Sequence, residues 1–183
     1  MLKQAYETDR LVLHLSNREM AQQVAEYFIR NKEFLKTTEP LRSDDFYTVE
    51  FQRSELECDE KNCENLSGVK FWITCKESEK VIGMVAFNGI IMGAFQSCFL
   101  AYRLDEDELN KGFMTEAVKK GIEIAFGDIG LHRIEANIMP RNRASLRVAE
   151  KLNFKNEGLA NKYLKINGIW EDHIHMVLLN ENA

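Results

Sequence analysis

Two prolines, Pro40 and Pro140, are all that the sequence contains, and no Pro/Gly/Ser-rich stretch divides it. With no linker to cut at, the 183 residues read as a single domain over 1–183. The four cysteines, Cys58, Cys63, Cys75 and Cys98, lack both the paired short spacings of a zinc site and the density of a disulfide scaffold, so reduced thiols are expected. No apolar run approaches the roughly 20 residues of a membrane helix, and Met1 to Arg10 has no apolar signal core. No membrane contact is expected, and the cytoplasm is the expected location. A basic excess is also missing: the net charge of −5 argues against a nucleic-acid-binding face, which needs clustered Lys and Arg.

What is present is the composition of an ordinary globular protein, 45% hydrophobic and 29% charged, with eleven Phe supplying core volume. Alternation predicts a strand over Arg10 to Ser16, and Asn17 is placed to cap a helix running to Arg30. A polar, broken stretch from Asn31 to Gly68 holds a second predicted helix, Phe46 to Cys58. Phe71 to Lys76, Val81 to Ile91 and Ser97 to Leu104 read as an antiparallel meander. Thereafter the pattern is helix (Thr115 to Phe126), strand (His132 to Met139), helix (Arg143 to Leu152) and two strands, Glu157 to Ile166 and Glu171 to Leu179, around the Asn167-Gly168 turn. A meander followed by β-α-β requires one parallel strand pair bridged by a helix, and ligands of such sheets sit beyond the carboxyl ends of the parallel strands.

The turn into the bridging helix, Leu109-Asn110-Lys111-Gly112-Phe113-Met114, could seat an anion, because a helix N-terminus offers unpaired N–H groups and about half a positive charge. It keeps one glycine, but asparagine tolerates positive φ, so Asn110 can replace a second. Thr115 and Glu116 are placed to cap part of the turn, and Met114, first in the helix, to point into the core. The run Asp105 to Glu108 reads as a solvated turn face. His173-x-His175 puts two imidazoles on one strand face with no third ligand nearby, so no metal is expected.

Gly112-Phe113-Met114-Thr115-Glu116-Ala117, Leu131-His132-Arg133-Ile134-Glu135-Ala136, Asn142-Arg143-Ala144-Ser145, Asn153-Phe154 and Glu157-Gly158 occur in an order that resembles the GNAT acetyltransferase superfamily, within it the RimL/RimJ-type N-acetyltransferases. The resemblance runs from about Glu7 to the C-terminus. It implies an α/β (α+β) GNAT fold: a mixed, mostly antiparallel central sheet of about seven strands with a splayed parallel pair, flanked by helices. It also implies acetyl-CoA as cosubstrate and direct transfer of the acetyl group to a primary amine, foremost a protein N-terminus of the ribosomal-protein type. A polyamine or aminoglycoside-like amine fits the same reading, and a CoA-binding regulatory module without turnover is the rival from another class.

By the resemblance, the backbone of Tyr102, Arg103 and Leu104 receives the thioester and pantetheine, and the loop Leu109, Asn110, Lys111, Gly112, Phe113, Met114 and Thr115 holds the pyrophosphate. Asn142 bonds the pantetheine side, Arg143 and Lys151 reach the nucleotide end, and Ser145 protonates the departing thiolate. Leu164 stands near the family's base glutamate, so the base is unassigned, with Glu157, Glu171, Asp172 and Tyr163 as neighbours. Glu39, Asp44, Asp45 and Glu50 would attract a cationic acceptor, and a homodimer is an open expectation.

Overall fold

The computed structural model describes residues 2–36 and 39–181. Eight strands form one sheet in the order β1-β2-β3-β4-β5-β6-β8-β7. They are β1 (Ala5–Glu7), β2 (Leu11–Leu15), β3 (Gly68–Cys75), β4 (Val81–Ile91), β5 (Ser97–Leu104), β6 (Arg133–Ile138), β7 (Lys155–Ile166) and β8 (Ile169–Leu179). The helices are α1 (Ala21–Arg30), α2 (Lys32–Leu35), α3 (Val49–Glu64), α4 (Phe113–Ile124) and α5 (Arg143–Lys151). All sheet neighbours are antiparallel except β5 and β6. The strand not anticipated from sequence is β1, three residues paired to β2 at the sheet edge, too short to show an alternation.

The chain buries an apolar layer on each sheet face. Leu11, Leu13 and Leu15 alternate with the less buried Val12 and His14, the period-two pattern of a strand with one core face. That core also takes Val85, Phe87, Ile134, Ala136 and the α4 stripe Met114, Ala117, Val118, with Leu146 and Ala149 from α5. On the opposite face Val24, Tyr27 and Phe28 of α1 and Leu56 of α3 pack on Trp72, Met84 and Ala86. There Phe28 meets Phe46 edge-on at 4.7 Å and Trp72 at 5.9 Å, the arrangement ring quadrupoles favour.

Helix limits differ from expectation for local reasons. The predicted helix at Phe46 is divided, a 3-10 turn over Asp44–Tyr47 preceding α3, because the Thr48 hydroxyl accepts from Phe51 N–H and starts a new helix there. α3 then continues past Cys58 to Glu64, where no Gly or Pro interrupts it. α4 begins at Phe113, two residues early, since Gly112 at φ 82° turns the chain directly into the helix.

Candidate active site

The parallel pair separates halfway along. β5 and β6 are in register only at Ser97↔Arg133, Cys98↔Ile134 and Phe99↔Glu135. Beyond Phe99, β5 stays paired to β4 as far as Gly83↔Leu104, and β6 stays paired to β8 as far as Ile138↔Ile174. The inner backbone edges of Leu100–Leu104 and of Ala136–Ile138 are therefore left facing a gap, and such groups seek partners. Gly83 keeps β5 in place: a Cβ there would lie 2.5 Å from the Arg103 carbonyl oxygen.

Alternation sends the β5 side chains to opposite faces. Tyr102 lies on the α4/α5 side and donates its hydroxyl hydrogen bond to the Ser145 backbone oxygen at 2.7 Å. Burial pushes its phenol well above the usual range, so it stays protonated. Arg103 lies on the other face, 2.9 Å from Glu39 and 5.6 Å above the Phe28 ring, and Leu104 is buried.

At the end of β5 the loop has the geometry an anion seat requires. Asn110 sits at φ 62° and Gly112 at φ 82°, both left-handed, and both are exposed. Gly112 offers no side chain to cap α4, whose first intrahelical bond is Glu116 N–H to Gly112 O at 3.1 Å. The N–H groups of Phe113, Met114 and Thr115 precede that bond and have no helical acceptor. Leu109 packs against the core, Met114 is buried as expected, and Phe113 lies beneath the Arg10 guanidinium at 4.6 Å. Contrary to expectation, Glu116 does not cap the turn. Its carboxylate accepts from Thr8 Oγ1 at 2.6 Å and Arg10 N–H at 2.9 Å and pairs with the Arg10 guanidinium, which also donates to Lys111 O. The helix N–H groups thus remain free for a ligand, while the carboxylate supports the loop from behind.

The acidic run before the loop is not uniformly solvated. Asp105 is fully buried between Arg30, at 2.6 Å, and Lys80, at 3.4 Å, while Glu108 holds the Lys111 ammonium at 2.8 Å. Only Glu106 and Asp107 of the four are exposed. Of the acids expected to face the acceptor, Glu39 is paired with Arg103, whereas Asp44, beside Lys32, is exposed, as are Asp45 and Glu50.

Asn142 caps α5 by accepting from Ser145 N–H at 3.2 Å, leaving its amide NH2 as the group able to meet a ligand. Ser145 is half-buried with its N–H and carbonyl both used, so its hydroxyl is the group left over. The Tyr102–Ser145 bond thus joins the open end of β5 to the first turn of α5, while the loop after β5 leads directly into α4. Arg143 is exposed in the first turn of α5 beside Asn142, and Lys151 is exposed in its last turn, roughly 12 Å away at the helical rise.

No proton acceptor stands at Leu164, which is 46% exposed. Of its carboxylate neighbours, Glu157 pairs with Arg133, Glu171 with Arg141, and Asp172 accepts from Lys162 N–H. Sequence reading missed a different group, on the face opposite α4 and α5. Glu135 lies 2.6 Å from His175 Nδ1, beside Asn137, whose amide donates to the Tyr163 hydroxyl at 3.2 Å. Burial raises the Glu135 carboxyl, but hydrogen bonds from His175, Arg133 and Asn137 outweigh it and hold the group below the usual carboxylate range. The available signal was alternation along Arg133-Ile134-Glu135-Ala136-Asn137; the missing one was the β6–β8 register. His173 is buried, and among the described residues no cluster of three potential metal ligands occurs. The 550 Å³ cavity lined by His14, Thr74 and Cys75 lies on the β2–β3 side, separated from the splayed pair by β4. No helix of the described residues is long and apolar enough to cross a membrane.

A splayed parallel pair that runs into an uncapped helix N-terminus offers an open strand edge and an anion seat side by side, and the family model described as an acetyltransferase (GNAT) domain matches residues 10–155. The chain belongs to the GNAT family of N-acetyltransferases, with acetyl-CoA as acetyl donor. It is 43% identical over 150 residues to the probable N-acetyltransferase YjcK of Bacillus subtilis, covering 82% of this chain and 83% of that one. It is 32% identical over 167 residues to the [ribosomal protein uS5]-alanine N-acetyltransferase of Escherichia coli, covering 91% and 86%. The crystal structure of the ribosomal-protein-S5-alanine acetyltransferase of Vibrio fischeri superposes with a TM-score of 0.93 at 35% identity, covering 97% of both chains.

Proposed function

We infer that the acceptor is the α-amine of a protein N-terminus of the ribosomal-protein alanine or serine type, acetylated in the cytoplasm. The observation that carries this reading is the whole-chain similarity to the uS5-alanine enzymes, which extends through the acceptor-side elements α1 to α3 as well as the donor loop. The donor supplies an activated acetyl thioester. In this reading the open edge of β5 from Leu100 to Leu104 bonds the pantetheine arm, and an N–H there polarises the thioester carbonyl. The N–H groups of Phe113, Met114 and Thr115, under the left-handed turns at Asn110 and Gly112, take the pyrophosphate. Ser145 Oγ donates its proton to the departing sulfur, held at that point by the Asn142 cap and the Tyr102 hydroxyl.

The experiment is incubation with acetyl-CoA and a panel of acceptors: peptides beginning Ala or Ser, spermidine and an aminoglycoside. Thiol release and a 42 Da gain (about one acetyl group) on the peptide α-amine are expected. Turnover confined to the small amines would overturn the acceptor assignment, and CoA binding with no release for any amine would leave a binding module.

A further inference from the structure

We propose that His175 takes the proton from the attacking amine, with Glu135 as the positioning residue that orients its ring; this rests on the acetyltransfer reading above. Three observations place the pair where a proton acceptor is needed. First, Glu135 is the last β6 residue paired to β5, so the gap begins at this residue. Second, His175 lies opposite Asn137 in the β6–β8 register, and Asn137 is among the first β6 residues beyond the pairing. Third, Arg133, Glu135 and Asn137 alternate with the core residues Ile134, Ala136 and Ile138, so this group occupies the sheet face away from α4 and α5. The donor loop and Ser145 belong to the α4/α5 side. An amine arriving from the other face meets the thioester at the gap, with His175 on its own side.

The bonding of the ring sets its chemistry. Nδ1 lies 2.6 Å from the carboxylate, so the neutral imidazole carries its proton there and presents Nε2 as the acceptor. Asn137 Oδ1 is buried with no hydrogen-bond partner among the described residues, an unmet acceptor that a substrate N–H would satisfy. The charged and titratable groups packed around the ring are Arg133 and Glu135 from β6, Glu157 and Tyr163 from β7, and His173 on β8 itself. Arg133 bridges Glu157 at 2.7 Å and Glu135 at 3.1 Å, one cation between two carboxylates, so the group facing the imidazole keeps a net negative charge.

The proton account closes. The ammonium gives one proton to Nε2, which passes it to solvent. The nitrogen lone pair then attacks the thioester carbon, the N–C bond forms, and the C–S electrons leave with sulfur. Ser145 protonates that sulfur and recovers, through solvent, the second proton shed by nitrogen as the amide forms.

The test is the pH dependence of kcat/KM for an Ala-initiated peptide, from pH 5.5 to 9, in the wild type, His175→Gln and Glu135→Gln. In the wild type, kcat/KM levels off at a lower pH than deprotonation of the free amine would require, because a protein group takes the proton. Without His175 only amine already neutral in solution reacts, so His175→Gln falls at least tenfold at pH 6.5 and keeps rising to about pH 8. Glu135→Gln removes the anion that favours the imidazolium, so its acid limb moves to lower pH. CoA affinity by calorimetry stays within twofold in both. A His175→Gln profile of wild-type shape, at any height, overturns the proposal while leaving the acetyltransferase reading intact. Loss of that reading would instead appear as a wild type that acetylates no amine. Should His175→Gln not fold, the Glu135→Gln profile decides: an unshifted limb overturns the pairing.

Discussion

The Tyr102 hydroxyl reaches across from β5 to the backbone oxygen of Ser145 at 2.7 Å, so one hydrogen bond joins the open strand edge to the helix that carries Ser145, the proposed proton donor. This bond and the donor hydroxyl can be separated by mutation. Ser145→Ala should lower kcat tenfold or more with CoA affinity within twofold, because the hydroxyl acts on the leaving sulfur and not on ground-state binding. Tyr102→Phe leaves a carbonyl without its donor and should cost about 1 kcal/mol, or roughly 2 to 4 °C in Tm, as well as lowering kcat. Thermal melts and initial rates on both variants check this. An unchanged kcat in Ser145→Ala would remove the serine from the chemistry.

Asn110 makes the loop's glycine shortage testable. At φ 62° its backbone is one that glycine adopts freely and that β-branched residues resist at a cost of about 1 to 2 kcal/mol. Asn110→Gly should therefore bind CoA within twofold of the wild type, and Asn110→Val should bind it at least fivefold more weakly. Calorimetric titration of the three proteins decides, and equal affinities would mean that the left-handed turn at Asn110 does not shape the pyrophosphate seat.

Asp105 follows β5 as a buried carboxylate against Arg30. Burial raises its carboxyl, but the Arg30 hydrogen bonds, the Asp107 N–H and the charges of Arg30 and Lys80 outweigh this and hold it below the usual range. A folded pKa lower than the unfolded one gives stability that is complete above about pH 4 and is lost as pH falls through the folded value. Asp105→Asn should lose about 3 kcal/mol at pH 7, or roughly 6 °C or more in Tm. Its Tm should also fall less steeply between pH 5 and 3 than that of the wild type. Parallel acid limbs in the two proteins would show that Asp105 is not a source of the acid sensitivity.

What the sequence disclosed follows the range over which its signals act. Alternation at Leu11, Leu13 and Leu15 and the turn residues Asn110 and Gly112 are local, and both strand and turn stand where they were expected. Asp105 looked solvated because its sequence neighbours are acidic, whereas its partner Arg30 lies 75 residues away on α1. Glu116 looked like a cap for the same reason, yet its partners Thr8 and Arg10 are more than 100 residues distant. The Glu135–His175 pair, 40 residues apart, exists only through the β6–β8 register, and a shift of one residue would send the imidazole to the opposite face.

The side proposed to receive the acceptor has its own support, which should be separable from cofactor binding. Asn167, in the β7–β8 turn, accepts from Leu41 N–H at 2.7 Å and donates to Glu39 O at 3.2 Å, and the Glu39 carboxylate reaches Arg103 on β5. One side chain thus ties the segment after α2 across the sheet face that carries Arg103. Asn167 sits at φ 49°, so Asn167→Gly keeps the backbone and removes only the two side-chain bonds. The acceptor KM should rise about three- to tenfold, the loss of about one to two modest hydrogen bonds, with CoA affinity within twofold. Steady-state kinetics with varied peptide, beside a CoA titration, measure the two separately. If CoA affinity falls in parallel with peptide KM, the strap supports the donor edge at Arg103 and not the acceptor alone.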